Sequence, residues 1–257
     1  MIAIIGGTGF YDPDFLDGQE EIVIETPFGR CQAVVGKMSG VEVMFISRHG
    51  KDHSLPPHRV EYRKNIAAIQ AAQAKAVISI NSVGSLDLKI EPGSVLIPND
   101  FIDLSKNRAQ TFFDSETVHV DMSEPYCSKV RFVLEKSAAQ NFQHVHGHGI
   151  YVCTEGPRFE TPAEIKMLRM LGGDVVGMVG CPETALAREA GLCYASICQV
   201  ANYGCGLTDN PLTVEELKMT IEQNQGAVKN TIISAVKDLN DQKRSCNCGG
   251  SQLDAKI

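Results

Sequence analysis

The sequence predicts a single α/β domain in which a mixed, largely parallel central β-sheet is flanked by helices. Three observations lead to this prediction. The 257 residues suit one large α/β domain. The 43% hydrophobic content is enough to bury a full core. Short β-branched runs alternate with helical stretches, which is typical of sheets covered by helices on both faces. We predict one domain over residues 1–240 and a polar, flexible tail over residues 241–257.

Strands are predicted where short apolar runs end at glycine, proline or polar residues. These runs cover residues 2–5, 41–46, 77–80, 94–98, 150–154, 175–178 and 194–200. Glycine-rich or polar turns follow many of them directly. Ligands of such sheets bind at the carboxyl ends of the strands, so these turns are where a functional site is expected.

Helices are predicted from their start and stop signals. Thr161 and Glu164 form a capping box, with proline at the first helical position, and Thr213 and Glu216 repeat the capping box. Two further helices are predicted over residues 60–73 and 182–190. Each helix therefore follows a predicted strand or a polar turn, as the α/β pattern requires.

Charge and cysteine content exclude several classes of function. The net charge of −7 argues against a nucleic-acid or anionic-membrane partner, which would require a basic surface. No apolar run approaches the roughly 18 residues of a membrane span, and the first residues resemble a strand and turn rather than a signal peptide. The nine cysteines are odd in number and scattered, which favours reduced thiols in a cytoplasmic protein.

Two turns have residues suited to an oxyanion. The strand at residues 2–5 runs into Gly-Gly-Thr-Gly, where backbone N–H groups and the Thr8 hydroxyl could approach a phosphate closely. This turn lacks the GxGxxG pattern of dinucleotide-binding proteins, which counts against a nucleotide-binding reductase. After residues 41–46, Arg48 offers a planar fork of donors, and His49 and His53 add further contacts.

Other residues at strand ends suit a flat, polar ligand. Phe159 lies at a loop tip, where stacking on a ring is a more natural role than core packing. Glu160 could favour the following helix dipole or accept a hydrogen bond from a ring N–H. For Met178, a place in the core and a place facing a ligand are about equally expected. Asn202 is a polar amide at the mouth of an apolar strand and requires a hydrogen-bond partner.

Two further patterns raise metal or redox chemistry. His144, His146 and His148 alternate as they would at a strand edge, although such triplets are more often solvated and idle. Cys246 and Cys248 form a CxC pair near the chain end. They could have a redox or disulfide role, but two unpaired thiols in a flexible tail are at least as expected. A non-catalytic metal-holding module built on these residues is a rival hypothesis, and we expect no metal site.

Six segments in this order resemble the trimeric purine nucleoside phosphorylase and methylthioadenosine phosphorylase family over residues 2–240. The segments are GGTGF, RHG, NSVGSL, EGPRFET, PETALAREAGLCYASI and VANYG. The resemblance implies a phosphorylase/hydrolase-like fold and reversible phosphorolysis of a nucleoside to a purine and a pentose 1-phosphate. It implies inorganic phosphate as co-substrate, no metal or organic cofactor, and a homotrimer or dimer of trimers with active sites shared between subunits.

The same resemblance assigns roles to individual residues. Phosphate would be held by Thr8, Arg48, His49, His53, Asn81 and Ser82. Phe159 would stack on the purine, Met178 would lie under the ribose, and His119 would come from a neighbouring subunit to the 5′ pocket. Glu61 and Tyr62 match the helix start after the phosphate loop. Val179 stands where the family commonly has a phosphate-contacting Ser or Thr, so one hydroxyl contact is missing.

Asn202 and Glu160 imply which base is cleaved. Asn202 aligns with the residue that contacts N7 and the 6-substituent, where relatives specific for aminopurines have Asp. Glu160 aligns with a Glu that accepts from N1–H, which exists in 6-oxopurines and not in adenine. Val214, aligned with a His that binds the 5′-hydroxyl in inosine-cleaving relatives, favours a methylthio group. The resemblance thus implies S-methyl-5'-thioinosine as substrate, with S-methyl-5'-thioadenosine or inosine and guanosine as the alternatives.

Overall fold

An 11-stranded sheet forms the centre of the protein in a computed structural model that describes residues 1–50, 53–243 and 245–250. The strands are β1 (Ile2–Gly6), β2 (Asp17–Thr26), β3 (Gly29–Met38), β4 (Val41–Ser47), β5 (Val77–Ser85), β6 (Val95–Leu96), β7 (Asp100–Asp103), β8 (Val145–His146), β9 (Ile150–Cys153), β10 (Val175–Gly177) and β11 (Tyr194–Tyr203). The helices are α1 (Tyr62–Ala71), α2 (Ser128–Ala138), α3 (Pro162–Met170), α4 (Glu183–Glu189) and α5 (Val214–Asp241).

The central strands of the sheet run mainly parallel. The strand order is β2-β3-β4-β1-β5-β10-β9-β7. Beside this path, β11 pairs with β5 and β6, and β6 pairs with β8. β1 is parallel to β4 and β5, and β11 is parallel to β5 along nearly its whole length. β10 is antiparallel to β5 but parallel to β9, so the predicted mixed, largely parallel sheet is confirmed.

Both faces of the sheet are covered by helices, as predicted. Alternate residues of β1 point to opposite faces, because side chains along a strand have a period of two. Ile2 and Ile4 belong to a core cluster with residues of α2 and α5. Ala3 and Ile5 belong to a second cluster with residues of α1 and α4. Among the described residues, no helix combines the length and apolar character needed to cross a bilayer.

The sequence missed the sheet edges and one helix. The hairpin of β2 and β3, the short strands β7 and β8, and helix α2 were not predicted. β2 exposes most of its residues, including Glu20 and Glu21, so it lacks the apolar run used to find the central strands. β11 was predicted to stop before Asn202, yet it continues to Tyr203 with an irregularity between Val200 and Asn202. Asn202 therefore lies within a strand rather than in the turn after it.

Helix start signals were more informative than helix ends. The capping box at Thr161 is confirmed in both halves, whereas at α5 the Thr213 side chain accepts from the Glu216 N–H without a described reciprocal bond. α1 begins at Tyr62, directly after a short 3₁₀ helix at Pro57–Arg59. The predicted tail is packed in part, because α5 extends to Asp241 and Cys248 is buried. Residues 251–257 of that tail lie outside the described residues.

Candidate active site

A cavity of about 420 Å³ opens at the carboxyl ends of β1, β4, β10 and β11 and beside the second half of β5. This is the edge of the sheet where a ligand site was expected. The predicted site residues that line the cavity are Thr8, Arg48, His49, His53, Ser82, Phe159, Glu160, Met178 and Asn202. The cavity lining as described does not include Asn81, His119 or Val214.

Arg48 at the end of β4 is paired within the protein. Its Nε and Nη2 donate to the two carboxylate oxygens of Glu183 at 2.7 and 3.0 Å. Nη2 also donates to Ser79 Oγ at 2.6 Å, and Nη1 donates to the Ile80 carbonyl at 2.9 Å. Since a guanidinium has five N–H donors, these bonds leave one N–H, on Nη1, for a ligand. The expectation that Arg48 presents a two-pronged fork to phosphate is therefore wrong.

Glu183, the first residue of α4, anchors this buried pair and was not singled out from the sequence. The side chains of Arg48 and Glu183 are 0% and 1% exposed. Glu183 also accepts from Ser79 Oγ and from the Tyr194 hydroxyl at 2.8 Å. Burial alone lowers the pKa of Arg48, but the Glu183 carboxylate outweighs it, so the pKa of the guanidinium is raised. The positive charge that the phosphate loop offers is thus largely neutralised before any ligand binds.

The rings of the two histidines of the loop pack against each other at a tilt of 36°. Their ring centroids lie 4.2 Å apart, and His49 Nδ1 lies 2.8 Å from the Leu55 carbonyl, a geometry in which Nδ1–H donates. Burial, and then the charge of Arg48, lowers the pKa of His49 to about 4, so the ring is neutral at pH 7. His53 has a φ of 55°, a left-handed conformation uncommon outside glycine, and such strain is often found at functional sites.

The glycine-rich turn is fixed by hydrogen bonds from Gln199, a residue that the sequence analysis missed. Gln199 in β11 donates through Nε2 to the Thr8 carbonyl at 3.2 Å and to Ser82 Oγ at 3.1 Å. Ser82 Oγ in turn donates to the Thr8 carbonyl at 3.2 Å. At Gly7 a Cβ would lie 2.3 Å from the Ile80 carbonyl oxygen, so only glycine allows this close approach. The Thr8 N–H and hydroxyl are therefore presented by a rigid turn.

Two residues near the phosphate side differ from their expected roles. Asn81 is 1% exposed, and its Oδ1 lies 3.4 Å from Ser79 Oγ, whose proton is directed mainly to Glu183, so Asn81 packs within the strand rather than contacting the cavity. Side chains alternate along a strand, which places Asn81 and its neighbour Ser82 on opposite faces. Val179 lines the cavity, but its N–H donates to the Tyr151 hydroxyl at 3.3 Å. Neither a hydroxyl nor an unoccupied N–H is thus offered to phosphate at position 179.

Phe159 and Glu160 form the opposite side of the cavity, in the loop between β9 and α3. Phe159 is 39% exposed and lines the cavity, so its ring is available to stack on a flat ligand. Glu160 Oε1 accepts from Thr154 Oγ1 at 2.6 Å, and no bond to its other oxygen is described. The Thr154 contact fixes the carboxylate where it can accept a hydrogen bond from a flat ligand.

Asn202 has its hydrogen-bond partner in its own strand. Its Nδ2 donates to the Tyr203 carbonyl at 2.8 Å. The amide lies against Gly84, where a Cβ would be only 3.1 Å from Nδ2, so the missing side chain makes room for it. Because an amide has two N–H donors and one carbonyl acceptor, one donor and the acceptor remain for a ligand. Asn202 is 6% exposed, so those groups point into a largely desolvated space.

Arg108 joins the two loops that form the base side and was also missed. Its Nη1 donates to the Met178 and Cys181 carbonyls at 2.7 and 2.6 Å, and Nη2 donates to the Glu155 carbonyl at 2.8 Å. The guanidinium also lies 5.4 Å from the centre of the Tyr62 ring. Arg108 follows β7, which was itself not predicted, so its position could not be foreseen from the sequence.

Part of the cavity lining is apolar. It includes Leu212 and Leu217, on either side of the start of α5. Val214, predicted for this role, is 55% exposed and does not belong to the described lining, whereas Leu212 and Leu217 near it do. A helix turns by 100° per residue, and a small error in register therefore moves a side chain to another face. His119 is exposed on the segment between β7 and α2.

Two groups of described side chains are close enough to share a metal ion, and neither includes His144, His146 or His148. They are Cys127, Cys193, Cys246 and Cys248, and Asp103, Cys153 and Cys181. The described lining of the cavity includes none of these residues. Among the described residues, the histidine half of the rival metal-holding hypothesis therefore finds no support, whereas the CxC pair meets two further cysteines.

Comparisons with known proteins agree with this geometry. Residues 1–237 match the phosphorylase superfamily. The chain is 44% identical over 250 residues to the probable 6-oxopurine nucleoside phosphorylase of Dictyoglomus turgidum, covering 96% of this chain and 94% of that protein. It is 44% identical to the probable S-methyl-5'-thioinosine phosphorylase of Methanothermobacter thermautotrophicus, covering 96% of this chain and 87% of that protein.

A solved structure shares the whole fold. It is the crystal structure of a methylthioadenosine phosphorylase from an antarctic soil metagenomic library, with a TM-score of 0.92 and 32% identity. The superposition covers 100% of this chain and 92% of that one. Family match, relatives and fold all agree with a cavity in which the strand-end residues of the resemblance meet. The chain therefore belongs to the phosphorylase superfamily.

Proposed function

We propose that this protein catalyses the phosphorolysis of a 6-oxopurine nucleoside, with S-methyl-5'-thioinosine as its substrate and hypoxanthine and 5-methylthioribose 1-phosphate as products. The observation that carries this proposal is the pair Glu160 and Asn202, which line one cavity with hydrogen-bonding groups to spare. Relatives named for 6-oxopurine nucleosides and for S-methyl-5'-thioinosine, at 44% identity, support the same reaction.

The base side of the cavity complements a 6-oxopurine. A 6-oxopurine has a donor at N1–H and an acceptor at the 6-oxygen, which match the Glu160 carboxylate and the remaining N–H of Asn202. Adenine has an acceptor at N1 and a donor at the 6-amino group, so it would place an acceptor opposite a carboxylate. A polar mismatch of this kind costs roughly 1–3 kcal/mol.

The chemical step requires stabilisation of charge at both ends of the glycosidic bond. As the bond breaks, positive charge develops on the sugar and negative charge on the purine. Phosphate held by Thr8, by His53 and by the remaining N–H of Arg48 would stabilise the sugar from one side. Neutral His49, whose proton is on Nδ1 and is donated to the Leu55 carbonyl, could only accept a hydrogen bond from a phosphate O–H. The one remaining N–H of Asn202, shared between the neighbouring 6-oxygen and N7, would stabilise the purine. No covalent intermediate with the protein is required.

In this proposal the 5′ substituent lies against the apolar part of the cavity lining. Leu212 and Leu217 offer no hydrogen-bonding group to a 5′-hydroxyl, and a buried hydroxyl without a partner is unfavourable. A methylthio group instead gains from burial against two leucines, at about 0.8 kcal/mol for each methylene-sized group. This contact favours S-methyl-5'-thioinosine over inosine.

The direct test is purine release from S-methyl-5'-thioinosine, S-methyl-5'-thioadenosine and inosine, each measured with and without phosphate. We expect phosphate-dependent release from S-methyl-5'-thioinosine, with a higher kcat/KM than for the other two nucleosides. Faster release from S-methyl-5'-thioadenosine would contradict the roles given to Glu160 and Asn202. A lack of phosphate-dependent release from all three would overturn the proposed reaction.

A second candidate is S-methyl-5'-thioadenosine phosphorolysis. It is favoured by the fold shared with a methylthioadenosine phosphorylase at 32% identity. That enzyme's name concerns the same apolar 5′ substituent with a 6-amino base, so the two candidates differ only at the base. The comparison of the two methylthio nucleosides decides between them.

We also propose that the enzyme works as a homotrimer, or a dimer of trimers, in the cytoplasm and without metal or organic cofactor in the reaction. His119 is exposed in the single chain and lies outside the described cavity lining, which suits a residue that contributes to a neighbour's 5′ pocket. Light scattering after size exclusion would give the mass of the assembly. A catalytically competent monomer would contradict the role of His119. Loss of turnover on adding a chelator, while circular dichroism shows the protein still folded, would contradict cofactor independence.

A further inference from the structure

Four cysteine side chains from three segments meet at the end of the sheet opposite the cavity. Cys127 lies just before α2, Cys193 lies just before β11, and Cys246 and Cys248 follow α5. Their sulfur atoms all lie within 4.8 Å of one another. Cys193 precedes the first residue of β11, whereas Asn202 is next to its last. At about 3.3 Å per residue, the cluster and the base-binding amide are on the order of 30 Å apart.

Backbone hydrogen bonds fix two of these four cysteines before any metal binds. The Cys127 N–H donates to the Tyr194 carbonyl at 2.8 Å, and the Cys193 carbonyl accepts from the Val77 N–H at 2.8 Å. Cys246 and Cys248 are then brought in by the chain that follows the long helix. Three of the four side chains are nearly fully buried, with Cys248 5% exposed.

The separations suit a tetrahedral metal site. Zinc bound to four thiolates has Zn–S distances of about 2.3 Å, which places the sulfur atoms about 3.8 Å apart. The described cysteines are unbridged, and Cys193 Sγ and Cys246 Sγ are 3.2 Å apart, well beyond the roughly 2.05 Å of a disulfide bond. Four sulfur atoms without oxygen or nitrogen ligands select a soft divalent ion, and zinc is the redox-inert one.

We propose that Cys127, Cys193, Cys246 and Cys248 bind one zinc ion, which attaches the end of the chain to the base of the sheet. Binding replaces four S–H bonds by four Zn–S bonds and releases four protons to solvent, with no change of oxidation state. An adjacent cavity of about 520 Å³, lined by Cys127, Cys193 and Cys246, provides a route of entry. Lys75, Lys129 and Lys243 line the same cavity and partly offset the negative charge of the complex.

The site is structural in character. It has four protein ligands and therefore no open position for a substrate. Its existence does not depend on the proposed reaction, because its residues lie far from the catalytic cavity. A structural metal adds its binding free energy to folding, so its removal lowers stability without directly altering the base-binding residues.

The test uses the full chain, purified with reductant and without chelator, and elemental analysis of zinc per chain. Cys248→Ser removes one ligand at the chain end, and Cys31→Ser is the matched control. Cys31 is buried outside the cluster and makes a weak contact with Asn65. We expect about one zinc ion per chain in the wild type and in Cys31→Ser, and a loss of affinity of about 10-fold or more in Cys248→Ser.

Two further measurements keep the result interpretable. Replacement by cobalt should give the visible absorption and sulfur-to-metal charge-transfer bands of a tetrahedral thiolate complex. A chelator should lower the Tm of the wild type and of Cys31→Ser, but not that of Cys248→Ser. Metal-free protein that retains all its thiols would overturn the proposal. Metal-free protein in which four thiols are missing from the count, because two disulfides have formed, would also overturn it.

Discussion

The two sides of the catalytic cavity use polar groups in different ways. On the base side, Asn202 and Glu160 each make one described hydrogen bond and keep further hydrogen-bonding capacity for a ligand. On the phosphate side, four of the five N–H groups of Arg48 donate to Glu183, Ser79 and Ile80. The proposed specificity for the base therefore depends on two side chains. The proposed phosphate binding instead depends on a preformed network in which removal of one member disturbs the others.

Glu183→Ala tests this network most strongly. It leaves the Arg48 guanidinium buried without its counter-ion, which costs about 3–5 kcal/mol of the free energy of unfolding. Glu25→Ala is the matched control, because the Glu25–Arg30 pair is 74% and 71% exposed and contributes less than about 1 kcal/mol. Urea unfolding of both variants measures the difference. Equal losses would show that the buried pair is not what stabilises the phosphate loop.

His49 should make the stability of the phosphate side pH-dependent. Burial and the nearby Arg48 lower its pKa from 6.5 to about 4, so the unfolded chain binds the proton more readily than the folded one. Stability from this group is complete above pH 6.5 and falls as the pH drops towards 4, by up to about 3 kcal/mol. His49→Gln should flatten this part of the stability profile. His148→Gln, at an exposed position, should leave it unchanged, and identical profiles for all three proteins would refute the assignment.

Asn202→Asp probes the base side. A carboxylate cannot donate to the 6-oxygen but can accept from a 6-amino group, so kcat/KM should fall for S-methyl-5'-thioinosine and rise for S-methyl-5'-thioadenosine. The expected shift in the ratio corresponds to roughly 1–3 kcal/mol for the mismatched contact. Asn230→Asp, on the exposed side of α5, controls for added charge. An unchanged ratio would show that Asn202 does not contact the 6-substituent.

Leu217→Ala gives the smallest expected effect. Loss of apolar contact at the 5′ end should remove about 1–2 kcal/mol of transition-state stabilisation, seen as a lower kcat/KM for the methylthio substrate. The kcat/KM for inosine should change less. Val214→Ala removes a similar side chain from an exposed position three residues earlier and should have little effect. If Val214→Ala is the more damaging variant, the 5′ pocket is formed in the assembly by the other face of α5.

Local signals in the sequence predicted much of the catalytic side. The apolar runs located β1, β4, β5, β10 and β11, and the residues that follow them meet at one cavity because the carboxyl ends of parallel strands share one edge. The capping residue Thr161 marked the start of α3 for the same local reason. Phe159, Glu160, Met178 and Asn202, which were singled out because they lie near strand ends, all line that cavity.

Long-range pairing was not accessible from the same signals. Arg48 and Glu183 are 135 positions apart, so neither sequence neighbourhood reveals that one neutralises the other. Gln199 and Arg108 each connect loops from distant parts of the chain and carry no motif of their own. The exposed hairpin of β2 and β3 lacks the apolar runs on which strand prediction depends.

The sequence by itself determined the fold class, the family resemblance and the edge of the sheet at which the site lies. These follow from short-range periodicity and turn chemistry, which depend on residues a few positions apart. Only the tertiary structure decided which donors remain available to a ligand and which four cysteines meet. Each donor or acceptor is used by the groups that lie within about 3 Å of it. In a folded chain those groups come from anywhere in the sequence.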